Sequence, residues 1–270
     1  MATKPVVTGP ISTDLKRAMR QLKLGRMLDT LPERLTLAHQ QRLSHAAFLE
    51  LVLADEAHRR DTSSAARRAR EAGLDAAMRP DSWDESAAVR YDRALRTDLT
   101  SLRFLDGPHG ALPLGPVRVG KTHLATTLGH IAARRRIPTL MLRADALFKQ
   151  PKASRLDNST EAQMRRLAQI RLLIIDDFAP KPIDATAATD FYELVVARHQ
   201  RGSTVLTSNR SPDKWLAVMT DPLLAAIDRI TSTAHEPIIE GQSYRRRQKP
   251  SVDTSPNDRR SSPISQTGGP

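Results

Sequence analysis

Residues 115–122 read GPVRVGKT, which matches the spacing GxxxxGK(S/T). Glycines at the first and sixth positions let successive backbone N–H groups converge on an anion, and the following helix adds its positive N-terminal dipole. In such a loop Lys121 reaches the β- and γ-phosphates of a nucleotide, and the Thr122 hydroxyl is a ligand for Mg²⁺. The pattern therefore predicts a nucleotide phosphate site made of Gly115, Pro116, Val117, Arg118, Val119, Gly120, Lys121, Thr122 and His123.

This loop has that meaning only between a buried strand and a helix. Residues 111–114 form a short apolar run before it, and residues 122–134 place Leu124, Leu128 and Ile131 on one face at helical spacing. Both flanking elements are therefore predicted. A chance match in an irregular loop is the alternative, and it would lack this frame.

A second set of candidate residues follows the apolar run in RLLIIDDF, residues 171–178. Four apolar residues followed by acids are typical of a buried parallel strand that brings charge to the edge of a sheet. Asp176 is the candidate Mg²⁺ ligand. Asp177 points to the opposite side of the strand and is the candidate that polarises an attacking water. A strand that merely ends in solvated acids is the alternative, and the phosphate loop upstream disfavours it.

A third strand, STVLTSN at residues 203–209, ends in Asn209, an amide able to orient a water beside a γ-phosphate. Polar residues are common at strand ends, so this position alone does not distinguish the two interpretations. Strand and helix patterns alternate through the intervening chain, and this alternation predicts a parallel sheet with helices on both faces. The predicted elements are a strand over 138–144 and helices over 145–150, 161–169 and 186–201.

Length and composition limit the class of protein. The chain has 270 residues, and the segment 103–240 is long enough for a self-sufficient α/β core. It contains no cysteine, which excludes disulfides and thiolate zinc sites and suits the cytosol. No apolar run approaches the length of a membrane span. A cytoplasmic protein without a membrane partner is therefore expected.

A net charge of +12 favours a polyanionic partner, and double-stranded DNA is the candidate. Residues 13–28 and 44–60 predict amphipathic helices, which we assign to an all-α domain over 13–100 after a flexible segment 1–12. A nucleotide-binding domain over 101–243 and a basic, disordered tail over 244–270 would complete the chain. The DNA-binding candidates are Lys16, Arg17, Arg20, Lys23, Arg67, Arg68, Arg245 and Arg246. A solvated helix face is the alternative for the helical cations.

Five strings of this chain resemble the IstB-like ATP-binding proteins, the helper ATPases of insertion sequences. They are GPVRVGKTHLATTLGH, RADALFKQ, LLIIDDFAP, DFYELVVARHQRGSTVLTSNRSPDKWL and EGQSYRRRQKP, and the resemblance extends over about residues 13–250. It implies an α/β P-loop NTPase of the AAA+ (ASCE) type behind a small all-α domain. It also implies ATP and Mg²⁺ as ligands, ATPase activity, a homo-oligomer on target DNA, and a partner transposase that the protein recruits or regulates.

The resemblance also assigns roles to single residues. Gly115 to Thr122 become the Walker A loop, and Asp176 with Asp177 become the Walker B acids. Many relatives have glutamate at the position of Asp177, so this side chain is one methylene shorter. Asn209 matches sensor 1. Arg229 matches the arginine finger that a neighbouring subunit would insert at the γ-phosphate.

Three departures from the family pattern keep other functions open. Arg118 replaces a glycine, Pro113 interrupts the strand before the loop, and the stretch DPLLAAIDRI is about two residues shorter, which would rotate the rest of a helix by roughly 200°. An ATP-binding scaffold with little hydrolysis, as a partly degenerate copy, is therefore one alternative. A DnaC-type replicative helicase loader is the other, since both proteins would use the same site chemistry.

Overall fold

The computed structural model describes residues 11–82, 89–90, 92–107, 109–116, 119–148, 159–178, 185–199, 201–209, 221–232 and 234–241. Short, mainly apolar runs form the longer strands, and segments with helical periodicity connect them, as the alternating pattern predicts. The strands are β1 (Val89–Arg90), β2 (Gly110–Ala111), β3 (Thr139–Arg143), β4 (Leu172–Phe178), β5 (Ser203–Ser208), β6 (Ala234–His235) and β7 (Glu240–Gly241).

The described helices agree with the predicted ones in the nucleotide-binding region to within a few residues. Their bounds are α1 (Thr13–Gln21), α2 (Leu31–Gln41), α3 (His45–Glu71), α4 (Arg93–Ser101), α5 (Lys121–Arg134), α6 (Ser159–Gln169), α7 (Ala185–Arg198) and α8 (Asp221–Thr231). A helical turn also covers 144–148, and short 3-10 segments cover Gly25–Asp29, Pro80–Ser82 and Arg103–Asp106. None of the helices in the described ranges is long and apolar enough to span a membrane.

Five strands form one parallel sheet in the order β3-β4-β5-β2-β6, and β1 pairs with β7 in a separate antiparallel pair. Successive residues of β4 face opposite sides of the sheet. Leu173 and Ile175 pack in a core with residues of α6, α7 and α8, whereas Leu172 and Ile174 pack in a second core with residues of α5. The predicted α/β fold, a parallel sheet flanked by helices on both faces, is confirmed.

The helical N-terminal region is present, but its packing differs from an isolated module. A small core around Met19, Met27, Leu31 and Val52 joins α1, α2 and the first half of α3. The second half of α3 packs instead against the sheet domain, where Ala69 belongs to the same core as Leu128 of α5. The predicted division after residue 100 therefore falls within a core that begins at Ala69.

The longest helix accounts for this arrangement. The apolar pattern predicted a helix over 44–60, but α3 continues to Glu71, and Ser44 caps its N-terminus by accepting a hydrogen bond from the Ala47 amide. The 27 residues of α3 are about 40 Å long at 1.5 Å per residue. One helix can therefore contribute to both the N-terminal core and the core beneath the sheet.

Candidate functional site

The strand that enters the phosphate loop contains the predicted irregularity at Pro113. The Leu112 amide donates to the His235 carbonyl (2.7 Å) and the Leu114 amide to the Pro237 carbonyl (3.0 Å), so pairing on the β6 side continues past the proline. Alternate residues of a central parallel strand bond to opposite neighbours. Pro113 therefore removes one bond toward β5, and Leu114 still forms a bridge to Ser208 there. The departure shortens β2 without displacing the loop from the sheet.

Two glycines give the loop its conformation. Gly115 has φ 145° and Gly120 has φ 105°, values that side chains rarely adopt. A Cβ at Gly115 would lie 2.1 Å from the Ile239 carbonyl oxygen, so this position also lacks space for any other residue. Val117 and Arg118 lie outside the described residues, and the predicted effect of Arg118 stays a prediction.

Lys121 begins α5 inside the loop, and its side chain is buried. Its Nζ donates to the carbonyls of Gly115 (2.8 Å) and Pro116 (2.5 Å). Burial lowers the pKa of Lys121, although the charges of Asp176 and Asp177 act in the opposite direction. The Lys121 ammonium is buried, bonds to carbonyls of a loop bent at two glycines, and lies at the start of a helix. This environment suits an anionic ligand such as a nucleoside triphosphate.

The two predicted Mg²⁺ ligands come together from separate elements. The Thr122 hydroxyl, in the first turn of α5, donates to Oδ1 of Asp176 on β4 (2.9 Å). Asp176 is only 7% exposed and accepts a second hydrogen bond at the same oxygen, from the Thr207 hydroxyl (2.5 Å). A buried carboxylate beside a threonine hydroxyl is an all-oxygen donor set, which Mg²⁺ prefers.

Asp177 occupies a β-bulge rather than a regular strand position. Pairing between β4 and β5 shifts between Ile175 and Phe178, and Asp177 has φ 57°. Its amide donates to the Thr207 hydroxyl (3.1 Å). Its carboxylate accepts from the Asn209 amide (3.2 Å) at Oδ1 and pairs with the Arg143 guanidinium (3.1 Å) at Oδ2. The bulge thus directs the carboxylates of Asp176 and Asp177 to different partners, and it brings Asp177 into contact with Asn209.

Two residues of this network were not predicted from the sequence. Thr207 bridges the acids, since its hydroxyl donates to Asp176 and accepts from the Asp177 amide. In the sequence, Thr207 could have been noticed as a polar residue within a mainly buried strand, two positions before Asn209. Arg143 ends β3 in register with Asp176. The hydrogen bond that Arg143 donates to Asp145 raises the pKa of Arg143, and the charge of Asp177 adds to this effect. Nothing in the spacing of β3 distinguished Arg143 from any other polar strand end.

His123 follows the phosphate loop, and its ring contacts side chains of the fold on both of its nitrogens. Its Nε2 lies 3.1 Å from the Ser82 hydroxyl and its Nδ1 lies 3.3 Å from the Thr127 hydroxyl. Burial is the main cause that lowers the pKa of His123, and the charge of Arg96 adds to it. These contacts tie the segment before α4 to α5, beside the phosphate loop.

The predicted finger residue, Arg229, lies in the last turn of α8 and is exposed. Its guanidinium carbon is 5.9 Å from the centre of the Tyr192 ring. It lines a cleft with Gly110 and Thr204, at the beginnings of β2 and β5. The phosphate loop follows the other end of β2, so Arg229 lies at the edge of the sheet opposite its own chain's loop.

The predicted DNA-binding residues fall into three groups. Lys16, Arg17, Arg20 and Lys23 are exposed on or just after α1. Arg67 is exposed on α3, whereas Arg68 is half-buried and donates from Nε to the Ala133 carbonyl at the end of α5 (2.8 Å). This hydrogen bond gives Arg68 a role in docking α3 on the sheet domain. Arg245 and Arg246 lie outside the described residues.

A glycine-bent loop with a buried lysine, followed by a threonine paired to a strand-end aspartate, defines the P-loop class of nucleotide-binding proteins. The chain belongs to a particular family of that class: residues 17–252 match the family described as IstB-like ATP binding protein. The family predicted from the sequence is thereby confirmed, and the parallel sheet with its phosphate loop is the predicted P-loop α/β arrangement. The description of the family names ATP as the nucleotide that is bound.

Several relatives are named for ATP binding and for an insertion sequence. One from Mycobacterium tuberculosis is 36% identical over 89% of this chain and 97% of its own length. Another, from Sinorhizobium fredii, is 31% identical over 86% of this chain and 94% of its own. The crystal structure of DnaI is also similar, with a TM-score of 0.49 and 20% identity over 60% of this chain and 88% of that one. This partial similarity gives no information about the function or the partners of the present protein.

Proposed function

We propose that this protein is a Mg²⁺-dependent ATPase that oligomerises on target DNA and recruits or regulates a partner transposase. The observation that carries the proposal is the continuous hydrogen-bonded network from Thr122 through Asp176 and Thr207 to Asp177 and Asn209. A protein that only bound ATP would need the loop, but it would not need a positioned second acid and amide beyond it.

Each residue of the site has a distinct task in this proposal. Lys121 would leave the loop carbonyls and hold the β- and γ-phosphates, while Thr122 and Asp176 would hold Mg²⁺. Bound Mg²⁺ supplies positive charge that offsets the charge developing on the transferred phosphoryl group. Asp177 and Asn209 would orient the attacking water, and the carboxylate of Asp177 would accept its proton.

The position of Arg229 supports assembly. A single chain places this exposed arginine at the opposite edge of the sheet from its own loop, so it can complete only a neighbour's site. An arginine supplied in trans stabilises transition-state charge and is worth roughly 10³–10⁵ in rate in other phosphoryl-transfer enzymes. Hydrolysis would then depend on oligomer formation.

The exposed cations of α1 and the overall charge support double-stranded DNA as a partner. The insertion-sequence names of the relatives support a transposase as the other. A helicase loader remains the second candidate, because it would remodel a protein on DNA with the same site. A transposase reading frame next to this gene favours the transposition helper, whereas capture of a replicative helicase favours the loader.

The proposal is tested by ATP turnover with and without duplex DNA, in the wild type, Asp177→Asn and Lys121→Ala. Turnover that DNA stimulates in the wild type is expected. D177N should bind ATP normally but lose turnover by about 10²-fold or more, since the general base is gone. K121A should lose ATP binding by about 10- to 100-fold, because a hydrogen-bonded charge is worth about 1.5–3 kcal/mol. Lys16→Ala, an exposed lysine on α1, is the matched control and should bind ATP like the wild type.

The scaffold alternative gives a different pattern. A partly degenerate copy would bind ATP, assemble and show negligible turnover, and D177N would then equal the wild type in every measurement. That equality would contradict the ATPase assignment and leave ATP as an assembly ligand. ATP-independent DNA binding in a gel-shift experiment would contradict the coupling between the two ligands.

A further inference from the structure

The edge of the sheet where the strands begin carries many arginines. Because β2 to β6 are all parallel, the turns that lead into them lie at one edge, opposite the phosphate loop. Besides Arg229, which the proposed function assigns to a neighbour's site, five arginines in or next to these turns are exposed, and we call them the entry row. The entry row consists of Arg103, Arg134, Arg135, Arg136 and Arg201.

The strand order arranges the entry row in a line. Residues 134–136 precede β3 at one side of the sheet, Arg201 precedes β5, and Arg103 precedes β2. Neighbouring strands are about 4.8 Å apart, so the distance from β3 to β2 is roughly 14 Å. Duplex DNA has one phosphate per about 3.4 Å of axis on each strand, so the row has the length of about four base pairs.

Acids neutralise this edge only in part. Arg136 pairs with Asp61 (2.8 Å) and Arg103 pairs with Asp98 (2.7 Å), and both arginines remain more than 70% exposed. Exposed pairs of this kind are worth about 0–1 kcal/mol, so phosphate oxygens can replace their carboxylates. Asp106 and Asp228 are the other acids in these turns within the described ranges. The arginines of the entry row therefore outnumber the nearby acids.

Fold stability does not account for the whole row. A cation in the last turn of a helix is favourable, which explains Arg134 on α5. Two less exposed cations of the same edge, the half-buried Arg171 and the buried Arg198, donate to backbone carbonyls and stabilise the fold. Three consecutive arginines at 134–136 exceed what one helix end requires. Of these, Arg135 alone donates to a carbonyl, that of Ser101.

The composition of the row favours phosphate over an apolar protein surface. In the described part of the chain, Val196 is the one exposed large hydrophobic residue near this edge, in the last turn of α7. One such residue does not make an apolar contact surface. Arginine suits phosphate oxygens because its planar guanidinium donates two parallel hydrogen bonds. We propose that the entry row binds the phosphodiester backbone of duplex DNA, without reading its bases. This inference rests on the DNA binding of the proposed function and assigns it a second surface besides α1.

The test measures duplex binding as a function of salt concentration for the full-length chain with ATP. The variant is Arg134→Gln with Arg201→Gln, two exposed residues that belong to no candidate catalytic group. Loss of two phosphate contacts should reduce the slope of log K against log salt by about 1.8. The fall in affinity between about 50 and 200 mM salt should then be roughly tenfold smaller than in the wild type.

A matched control separates local contacts from net charge. Arg93→Gln with Arg165→Gln also removes two exposed arginines, one in the first turn of α4 and one on α6. This control should keep the wild-type slope. If R134Q/R201Q has the slope of the control, the row does not bind DNA and the inference is wrong. A normal slope with lost self-association would assign the row to contact between copies, which also overturns it. If the wild type binds no duplex, the proposed function itself fails.

Discussion

The two edges of the sheet use polar residues in opposite ways. At the carboxyl edge, side chains bond to one another: Thr122 and Thr207 donate to Asp176, and Asn209 and Arg143 donate to Asp177. At the entry edge, where the strands begin, the buried arginine bonds mainly to the backbone. Arg198, only 3% exposed, donates to the carbonyls of Leu167, Ile170 and Ser203 and to the Thr204 hydroxyl.

The two edges of the sheet therefore have different roles: one carries the candidate catalytic residues, and the other carries a residue that stabilises the fold. Arg198 is buried among carbonyls of fixed position, so it stabilises turns and does not act on a ligand. Lys121 also donates to carbonyls, but these belong to the phosphate loop itself, where a ligand can replace them. Side chains that bond to side chains can exchange partners when a ligand arrives. The carboxyl edge is therefore suited to catalysis, and the buried part of the entry edge is suited to holding the strands in place.

The largest expected effect is on stability, from Arg198→Met at the entry edge. Burial lowers the pKa of Arg198 to about 10, yet its charge is held by four oxygen acceptors. Methionine fills similar space and leaves those acceptors without a donor, each at about 1–3 kcal/mol before water or relaxation compensates. We expect a loss of about 3 kcal/mol in the free energy of unfolding, measured by urea denaturation.

The neighbouring Arg201→Met is the control for this prediction. Arg201 is exposed, and its replacement should change the free energy of unfolding by no more than about 0.5 kcal/mol. Folded R198M should still bind ATP with wild-type affinity, because its contacts do not reach the loop. Equal destabilisation by both variants, or a selective loss of ATP binding in R198M, would contradict the division between the edges.

Much of the carboxyl edge could be predicted because its chemistry requires particular residues at fixed spacings. Gly115, Gly120, Lys121 and Thr122 form one contiguous string, and an apolar run marks the strand before Asp176. The parallel sheet followed from the same alternation. Sequence patterns of this kind describe local structure well, since each depends on residues close together in the chain.

The missed features depend on partners that are distant in sequence. Thr207 is 31 residues from Asp176, and the bulge that turns Asp177 arises from pairing with β5. The extension of α3 to Glu71 is stabilised by Ala69 packing beside α5, which the polar character of residues 59–71 conceals. No pattern within a single segment contains these tertiary contacts.

Thr207→Val should reduce catalysis without weakening ATP binding in the absence of Mg²⁺. Valine keeps the shape of threonine but removes the hydrogen bond to Asp176 and the acceptor for the Asp177 amide. Each lost bond of this type is worth about 1–3 kcal/mol, so Mg²⁺-dependent turnover should fall about 10- to 100-fold. The apparent affinity for Mg²⁺ should fall with it, whereas Thr207→Ser should restore both.

Thr204→Val is a control on the same strand. Thr204 lies at the entry edge of β5 and accepts from Arg198, so its replacement should leave turnover and Mg²⁺ dependence unchanged. A purely structural role for Thr207 predicts equal loss of stability in T207V and T204V with no selective change in the Mg²⁺ dependence. That result would remove Thr207 from the catalytic edge.

Arg143→Gln should have the smallest effect, and it tests whether partner exchange occurs at the carboxyl edge. The Arg143 guanidinium occupies Oδ2 of Asp177, so this oxygen is not available to an attacking water while the pair is intact. The arginine is 62% exposed, so the pair is worth at most about 1 kcal/mol and its loss should raise DNA-free turnover by at most about fivefold. Asp145→Asn removes the competing partner of Arg143 and should lower turnover instead. If turnover rises in R143Q and falls in D145N, Asp177 must exchange its arginine for water before catalysis. If turnover falls in R143Q, the ion pair with Arg143 instead holds Asp177 in its catalytic position.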